Sequence, residues 1–288
     1  MNAVPTLETS HDILGPWSLA TSRMFWEGFA PSALTAQQEE GIQARFLCDT
    51  DWEAVDFTVA QEGETARISV TGAGDLGAAT AQVLRFLSLD IDASEWPEVG
   101  RRDPVIADAQ RQLPGLRPCG FYSPYEAAAW AVLSQRIQMT QAARLSTAIT
   151  EEHGRDGVFP TPEVLQGLAL DLPGRKLEYL HAVAEAALAG QLDGAYLRSL
   201  SPDAALEHVQ QVRGLGPFAA ELVVIRGANF TDVLPKSESR LTAEIASKYG
   251  PDRDIDEVTA VWSPFRSWAG VHLRALREFR LRDANRRN

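Results

Sequence analysis

The chain has 288 residues, 45% apolar and 23% charged, with a net charge of −12 at pH 7. That is enough for one large globular unit or two ordinary ones, and the absence of any run of about 18 apolar residues excludes a membrane-spanning helix. The charge is uneven: residues 1–120 carry net −10 and residues 121–288 net −2, and from Pro264 onward seven arginines face two acids. A local basic face of this kind can meet phosphate while the whole protein stays acidic, although charge alone fits a solvated terminal helix better.

Residues 1–12 are polar and without period, and disorder is expected there. Met1 to Ile13 lacks the apolar core of a secretion signal, so a cytoplasmic protein is the expectation. Three segments then alternate with a period of two: Gly41–Leu47, Ala54–Val59 and Ala66–Val70. Turn residues at 49–51 and 62–64 separate them, so short antiparallel strands are predicted. A helix is predicted over about 75–87, with Leu76, Ala79, Val83 and Leu87 on one face. A small α+β sheet domain over 13–110 follows from these elements. Cys48 and Cys119 stand far apart with no ligand-spaced partners, which favours buried thiols over a zinc or iron–sulfur centre.

From Tyr122 on, the period is helical. Ser123-Pro124-Tyr125-Glu126 is a capping box with proline at the first helical position, and Thr161-Pro162-Glu163 and Ser201-Pro202-Asp203 are starts of the same kind. A further helix is predicted over about 140–153, ending at Gly154. Residues 111–288 thus read as an all-α domain of roughly eight helices, and the protein as mostly α.

Between two apolar helices lies Val212-Arg213-Gly214-Leu215-Gly216-Pro217-Phe218-Ala219-Ala220. Two glycines one residue apart permit a tight turn with exposed amides, a local anion site suited to a DNA phosphate. An ordinary helical corner has the same pattern. Some twenty residues on comes Asp232-Val233-Leu234-Pro235-Lys236-Ser237-Glu238. On the residue alone, Glu238 reads as a helix-start acid pairing with the dipole rather than as a catalytic carboxylate.

In order and spacing these segments resemble the helix-hairpin-helix DNA glycosylase superfamily, of the DNA-3-methyladenine glycosylase II type. Ser123–Glu126 through Leu133-Ser134-Gln135-Arg136-Ile137, and Trp262-Ser263-Pro264-Phe265-Arg266-Ser267-Trp268-Ala269, extend the likeness over about 250 residues. The resemblance implies base-excision repair of double-stranded DNA containing a damaged base, by a monomer without a cofactor. It implies that Gly214, Leu215, Gly216, Phe218 and Ala219 hold the DNA backbone, and that Gln135 and Arg136 wedge into the duplex. Tyr125, Phe218, Leu222, Trp268 and Arg274 would line the base pocket, and the Val212 and Gly214 carbonyls could take a monovalent cation. Glu238 falls where the family has its catalytic aspartate, with Asp232 as the rival, expected to brace the loop. Bifunctional members carry a nucleophilic lysine at the position of Phe218, so a monofunctional enzyme is implied. The alternative is a non-catalytic lesion-recognition protein that keeps the fold, which Glu238, Leu222 and Arg274 favour. Leu222 and Arg274 replace aromatics of the family, which implies poor binding of cationic bases.

Overall fold

The structure is a computed structural model that describes residues 4–28 and 41–287. Four strands, β1 (Thr6–Asp12), β2 (Ile42–Leu47), β3 (Ala54–Glu62) and β4 (Thr65–Gly72), form one antiparallel sheet in the order β1-β4-β3-β2. Alternation decides the inner face: Val55, Phe57 and Val59 on β3 and Ala66, Ile68 and Val70 on β4 are buried, with Phe57 opposite Val70 and Val59 opposite Ile68. Disorder was expected for residues 1–12; instead residues 6–12 pair with β4 from Thr6 opposite Thr71 to Asp12 opposite Thr65. This edge strand is polar and open on both sides, so the backbone ladder alone defines it and no side-chain period announces it.

Helix α1 (Leu19–Glu27) starts at Ser18, and α2 (Leu76–Phe86) starts at Asp75, whose carboxylate accepts from the Ala78 amide at 3.0 Å. Both pack on the sheet. Helices α3 (Trp96–Arg102) and α4 (Pro104–Gln112) turn away from it. Between them, Asp103 accepts from the amides of Val105 and Ile106, from the Tyr249 hydroxyl and from the Trp262 indole, the last two at 2.8 Å.

The remaining helices are α5 (Pro124–Leu133), α6 (Met139–His153), α7 (Pro162–Gly167), α8 (Lys176–Leu188), α9 (Gly194–Ser199), α10 (Pro202–Gln210), α11 (Pro217–Leu222), α12 (Ser239–Tyr249), α13 (Ile255–Ala260) and α14 (Arg266–Arg287). That is ten among the described residues rather than about eight, because α7, α9 and α13 are only six residues each. The caps at Ser123, Thr161 and Ser201 form as the sequence predicts, each oxygen accepting the amide three residues on. Helix α11 continues as a widened π turn, Val223–Gly227, in which the Ala228 amide donates to the Val223 carbonyl at 2.9 Å.

Packing divides the chain differently from the expected boundary near residue 110. The central helices from α5 to the π turn share one core. The sheet, α1 and α2 form a second core that Ala275 and Leu276 of α14 complete. The third joins Trp96, Val99 and Ile106 to Leu241, Ile245, Trp262, Trp268 and Leu273. Helix α14 thus closes two of the three cores. No helix among the described residues is long and apolar enough to cross a membrane.

Candidate active site

The turn between α10 and α11 is a helix-hairpin-helix. Gly214 sits at φ +94°, in the left-handed region, and a Cβ there would lie 2.3 Å from the Tyr179 ring. A Cβ at Gly216 would meet nothing within 4 Å, so the second glycine keeps its backbone open to an approaching group. The Leu215 amide donates to the Val212 carbonyl at 3.0 Å, and Gln135 Nε2 donates to the Gly214 carbonyl at 2.8 Å. Arg213 pairs with Glu178, which also takes two hydrogen bonds from Arg175. The Arg175 guanidinium lies 5.3 Å from the centroid of Tyr179, so α8 buttresses the turn from beneath.

Beside the hairpin opens a pocket of about 480 Å³, lined by residues of α1, α6, α11 with the π turn, α12 and α14 and by the loop before α12. Helix α11 and the π turn contribute Phe218, Glu221, Leu222 and Ile225, spaced i, i+3, i+4, i+7 on one face. Helix α14 contributes Gly270, Val271, Arg274, Ala275, Glu278 and Phe279 on the same principle. The loop before α12 brings Pro235, Ser237 and Glu238, and α1 adds Phe25 from the N-terminal part of the chain.

Glu238 is both helix cap and pocket wall. One carboxylate oxygen accepts from the Arg240 amide at 3.0 Å, and the other receives Arg274 Nε. Arg274 also donates through Nη1 to Glu278 at 3.1 Å. Glu221, one turn along α11 from Phe218, accepts from the amide and hydroxyl of Ser237 at 2.9–3.1 Å. Burial raises the Glu221 carboxyl above the usual carboxylate range, against the lowering effect of those bonds. At the other end of the loop, Asp232 takes Arg266 Nε and Nη2 at 2.8 and 2.9 Å, the Arg266 amide, and the Ser263 hydroxyl. Burial opposes ionisation there, but these bonds win and hold the carboxyl below its ordinary value. Asp232 is a brace, as expected.

Phe218, Leu222, Glu238 and Arg274 come together around this pocket, whereas Gly214, Leu215, Gly216 and Ala219 do not line it, and the last of these and Leu215 are buried in the central core. Two other expected lining residues do not reach it. Tyr125 is fully buried; its hydroxyl donates to the Pro160 carbonyl and its ring meets Trp52 and Phe159. Trp268 is 2% exposed and packs against Trp96 and Phe265 in the third core. Of the two wedge candidates, Gln135 has its amide tied to the hairpin, whereas Arg136 is exposed at φ +56°. The carbonyls of Val212 and Gly214, considered for a cation, each already accept a hydrogen bond. The basic surplus at the C-terminus is partly neutralised: Arg266 pairs with Asp232, Arg274 with Glu238, and Arg277 and Arg280 with Glu244. The side chains of Arg282, Arg286 and Arg287 lie outside the described residues.

Sequence reasoning missed Phe25, Glu221 and Lys176. The Lys176 Nζ is buried and donates to the carbonyls of Val132, Leu133 and Gln135 at 2.8–2.9 Å. It caps the end of α5 and fixes the loop that carries Gln135 and Arg136. Its position at the start of α8 carried no pattern that would have singled it out.

No protein-family model matches the chain. It is 26% identical over 207 residues to a DNA-3-methyladenine glycosylase of Bacillus subtilis, covering 65% of this chain and 68% of that protein. It is 30% identical over 219 residues to a probable bifunctional transcriptional activator/DNA repair enzyme AlkA of Mycobacterium tuberculosis, covering 69% of this chain but only 42% of that protein. Among solved structures, the 3-methyladenine DNA-glycosylase of Archaeoglobus fulgidus superposes with a TM-score of 0.71 at 20% identity, over 92% of this chain and 96% of that one. Fold, hairpin and sequence kinship agree in likening the chain to the helix-hairpin-helix DNA glycosylases. The Bacillus subtilis relative and the Archaeoglobus fulgidus structure both carry the name of a 3-methyladenine glycosylase.

Proposed function

We propose that this protein is a monofunctional DNA glycosylase of base-excision repair, acting as a monomer in the cytoplasm on double-stranded DNA that contains a damaged base. It hydrolyses the bond between that base and its sugar and leaves an abasic site. The observation that carries this reading is the Glu238 carboxylate, held by the Arg240 amide and Arg274 on the wall of a 480 Å³ pocket that the hairpin flanks.

The chemistry follows from the geometry. Hairpin amides around Gly216 hold a backbone phosphate without reading sequence. Arg136, exposed on a loop that Lys176 and Gln135 anchor, fills the gap in the stack when the base swings out. The base enters the pocket against Phe218 and Leu222. As its bond to the sugar lengthens, positive charge grows on the sugar, and a carboxylate fixed beforehand stabilises that charge with little reorganisation. Water completes the substitution at the sugar carbon and gives up a proton.

The lysines support hydrolysis over lyase chemistry. The chain has three: the Lys176 amine is spent on three carbonyls, Lys236 pairs with Asp256, and Lys248 is exposed on the last turn of α12. None lines the pocket. The test is excision from a panel of damaged duplexes, with alkali to cut abasic sites, by the native protein and by Glu238→Gln. Excision that survives the substitution undiminished would remove Glu238 from the mechanism. A native protein that binds duplex and excises nothing would leave lesion recognition without catalysis.

A further inference from the structure

The pocket wall says which kind of base it suits. Three arginines line the pocket: Arg226, Arg240 and Arg274. The carboxylates beside them are committed: Glu238 and Glu278 to Arg274, and Glu221 to Ser237. The lining aromatics are phenylalanines alone, Phe25, Phe218 and Phe279, the ring that attracts cations less than tryptophan does. One of these rings is already taken, since the Arg226 guanidinium lies 5.2 Å from the centroid of Phe25. A cationic base would therefore meet guanidinium groups, with each neighbouring carboxylate already shared with a donor.

Arg274 has capacity to spare for a different ligand. Its Nε and Nη1 are engaged by Glu238 and Glu278, while Nη2, with two N–H donors, has no hydrogen-bond partner among the described residues. We infer that this pocket selects an uncharged base bearing a carbonyl or ring-nitrogen acceptor over a cationic N-alkylated base, and that Arg274 sets the selection. The inference rests on the reading of this pocket as the base site and adds the class of base.

The reaction gives the selection a chemical reason. A cationic base leaves the sugar as a neutral molecule and needs little help. A neutral base takes the electron pair of the broken bond and leaves as an anion. A charged donor at its oxygen or ring nitrogen stabilises that anion as it forms. Arg274 supplies such a donor and, through Glu238, also fixes the carboxylate that answers the opposite charge on the sugar. One arginine thereby addresses both fragments of the breaking bond.

The test compares single-turnover excision of hypoxanthine, a neutral base with O6 and N7 acceptors, and of cationic 7-methylguanine, each in the same duplex. Each rate is divided by its spontaneous rate. The native protein should enhance release of hypoxanthine more, and Arg274→Met should shrink that preference by about tenfold, the effect of one lost charged contact in the transition state. A merely structural role for Arg274 would slow both substrates alike and leave the ratio unmoved. Native preference for 7-methylguanine, or an unchanged ratio in Arg274→Met, overturns the selection while the glycosylase assignment stands. Release of neither base counts against the assignment instead. Affinity for duplexes carrying the 2′-fluoro analogues then decides the selection: tighter binding of the hypoxanthine duplex, lost in Arg274→Met, supports it, and equal or reversed affinity overturns it. If the methionine variant does not fold, Arg274→Lys takes its place. Lysine keeps the charge and loses the planar fork, so hypoxanthine should lose more enhancement than 7-methylguanine, and equal losses overturn the role given to Nη2.

Discussion

The two ends of the 232–238 loop each carry a carboxylate that answers an arginine of α14, and they have opposite characters. Asp232 is saturated: two guanidinium donors, one amide and one hydroxyl fill its oxygens. Glu238 has one donor on each oxygen and stands on a pocket wall. What separates the two here is remaining valence and access to a cavity, since residue type and partner are nearly the same. The contrast extends outward. Lys176 and Gly214, with every bond or approach used, build the site, whereas Gly216 and Phe218 are open to a partner.

The largest break should come at Glu238. Glu238→Gln keeps shape and removes charge, so single-turnover excision should fall by about 10²–10³, the loss typical of one preorganised group in the transition state, while duplex affinity holds. Equal losses in rate and affinity would place Glu238 with the braces. Asp232→Asn should do the reverse. Unfolding free energy should drop by about 1–2 kcal/mol, modest because the pair is partly open to solvent, with chemistry largely kept in molecules that remain folded. Its pH dependence has a sign. The Asp232 carboxyl is held below its unfolded value of about 3.9, so its contribution is full above that pH and fades as pH falls through the folded value. The native protein should therefore lose more stability than Asp232→Asn on acidification below about pH 4. Denaturant midpoints at a series of pH values check this.

A smaller effect sharpens the open side of the comparison. Gly216→Val should leave the melting temperature nearly unchanged and weaken duplex binding by about five- to thirtyfold, one or two lost amide contacts, equally for every sequence. Binding titrations across salt concentrations should show native affinity falling steeply as salt rises, and a sequence-dependent loss in the variant would contradict a phosphate anchor. The smallest expectation is none at all. Borohydride should trap no adduct with DNA, and an adduct mapped to Lys236 would mean that its pairing with Asp256 opens during the reaction.

Much of this was legible in the residues. Half-buried strands declare themselves by alternation, and β2, β3 and β4 lie where the period of two put them. Capping boxes are local, so Ser123, Thr161 and Ser201 marked three helix starts. What failed was direction. Nine of the ten residues of α5 are buried, so the helix has no polar face from which to read where Tyr125 points. Trp268 lies one turn before Val271 on α14, yet the helix faces a core at one and the pocket at the other. Phe25 reaches the pocket from about 190 residues away along the chain, a contact created by tertiary packing alone. Glu221 looked like one more polar residue of an amphipathic helix, because its meaning depends on Ser237, which folding brings to it.

Helix α14 has a consequence for how the protein comes into being. The sheet and the α3–α4 pair precede α14 in the chain by more than 150 residues, yet Ala275, Leu276, Trp268 and Leu273 of α14 finish their cores. On the ribosome the sheet and the α3–α4 pair must therefore wait with apolar surface uncovered until α14 has emerged, while the central helices can already close their own core. Pocket and fold are completed by the same late segment, so a chain interrupted before α14 would reach DNA with neither.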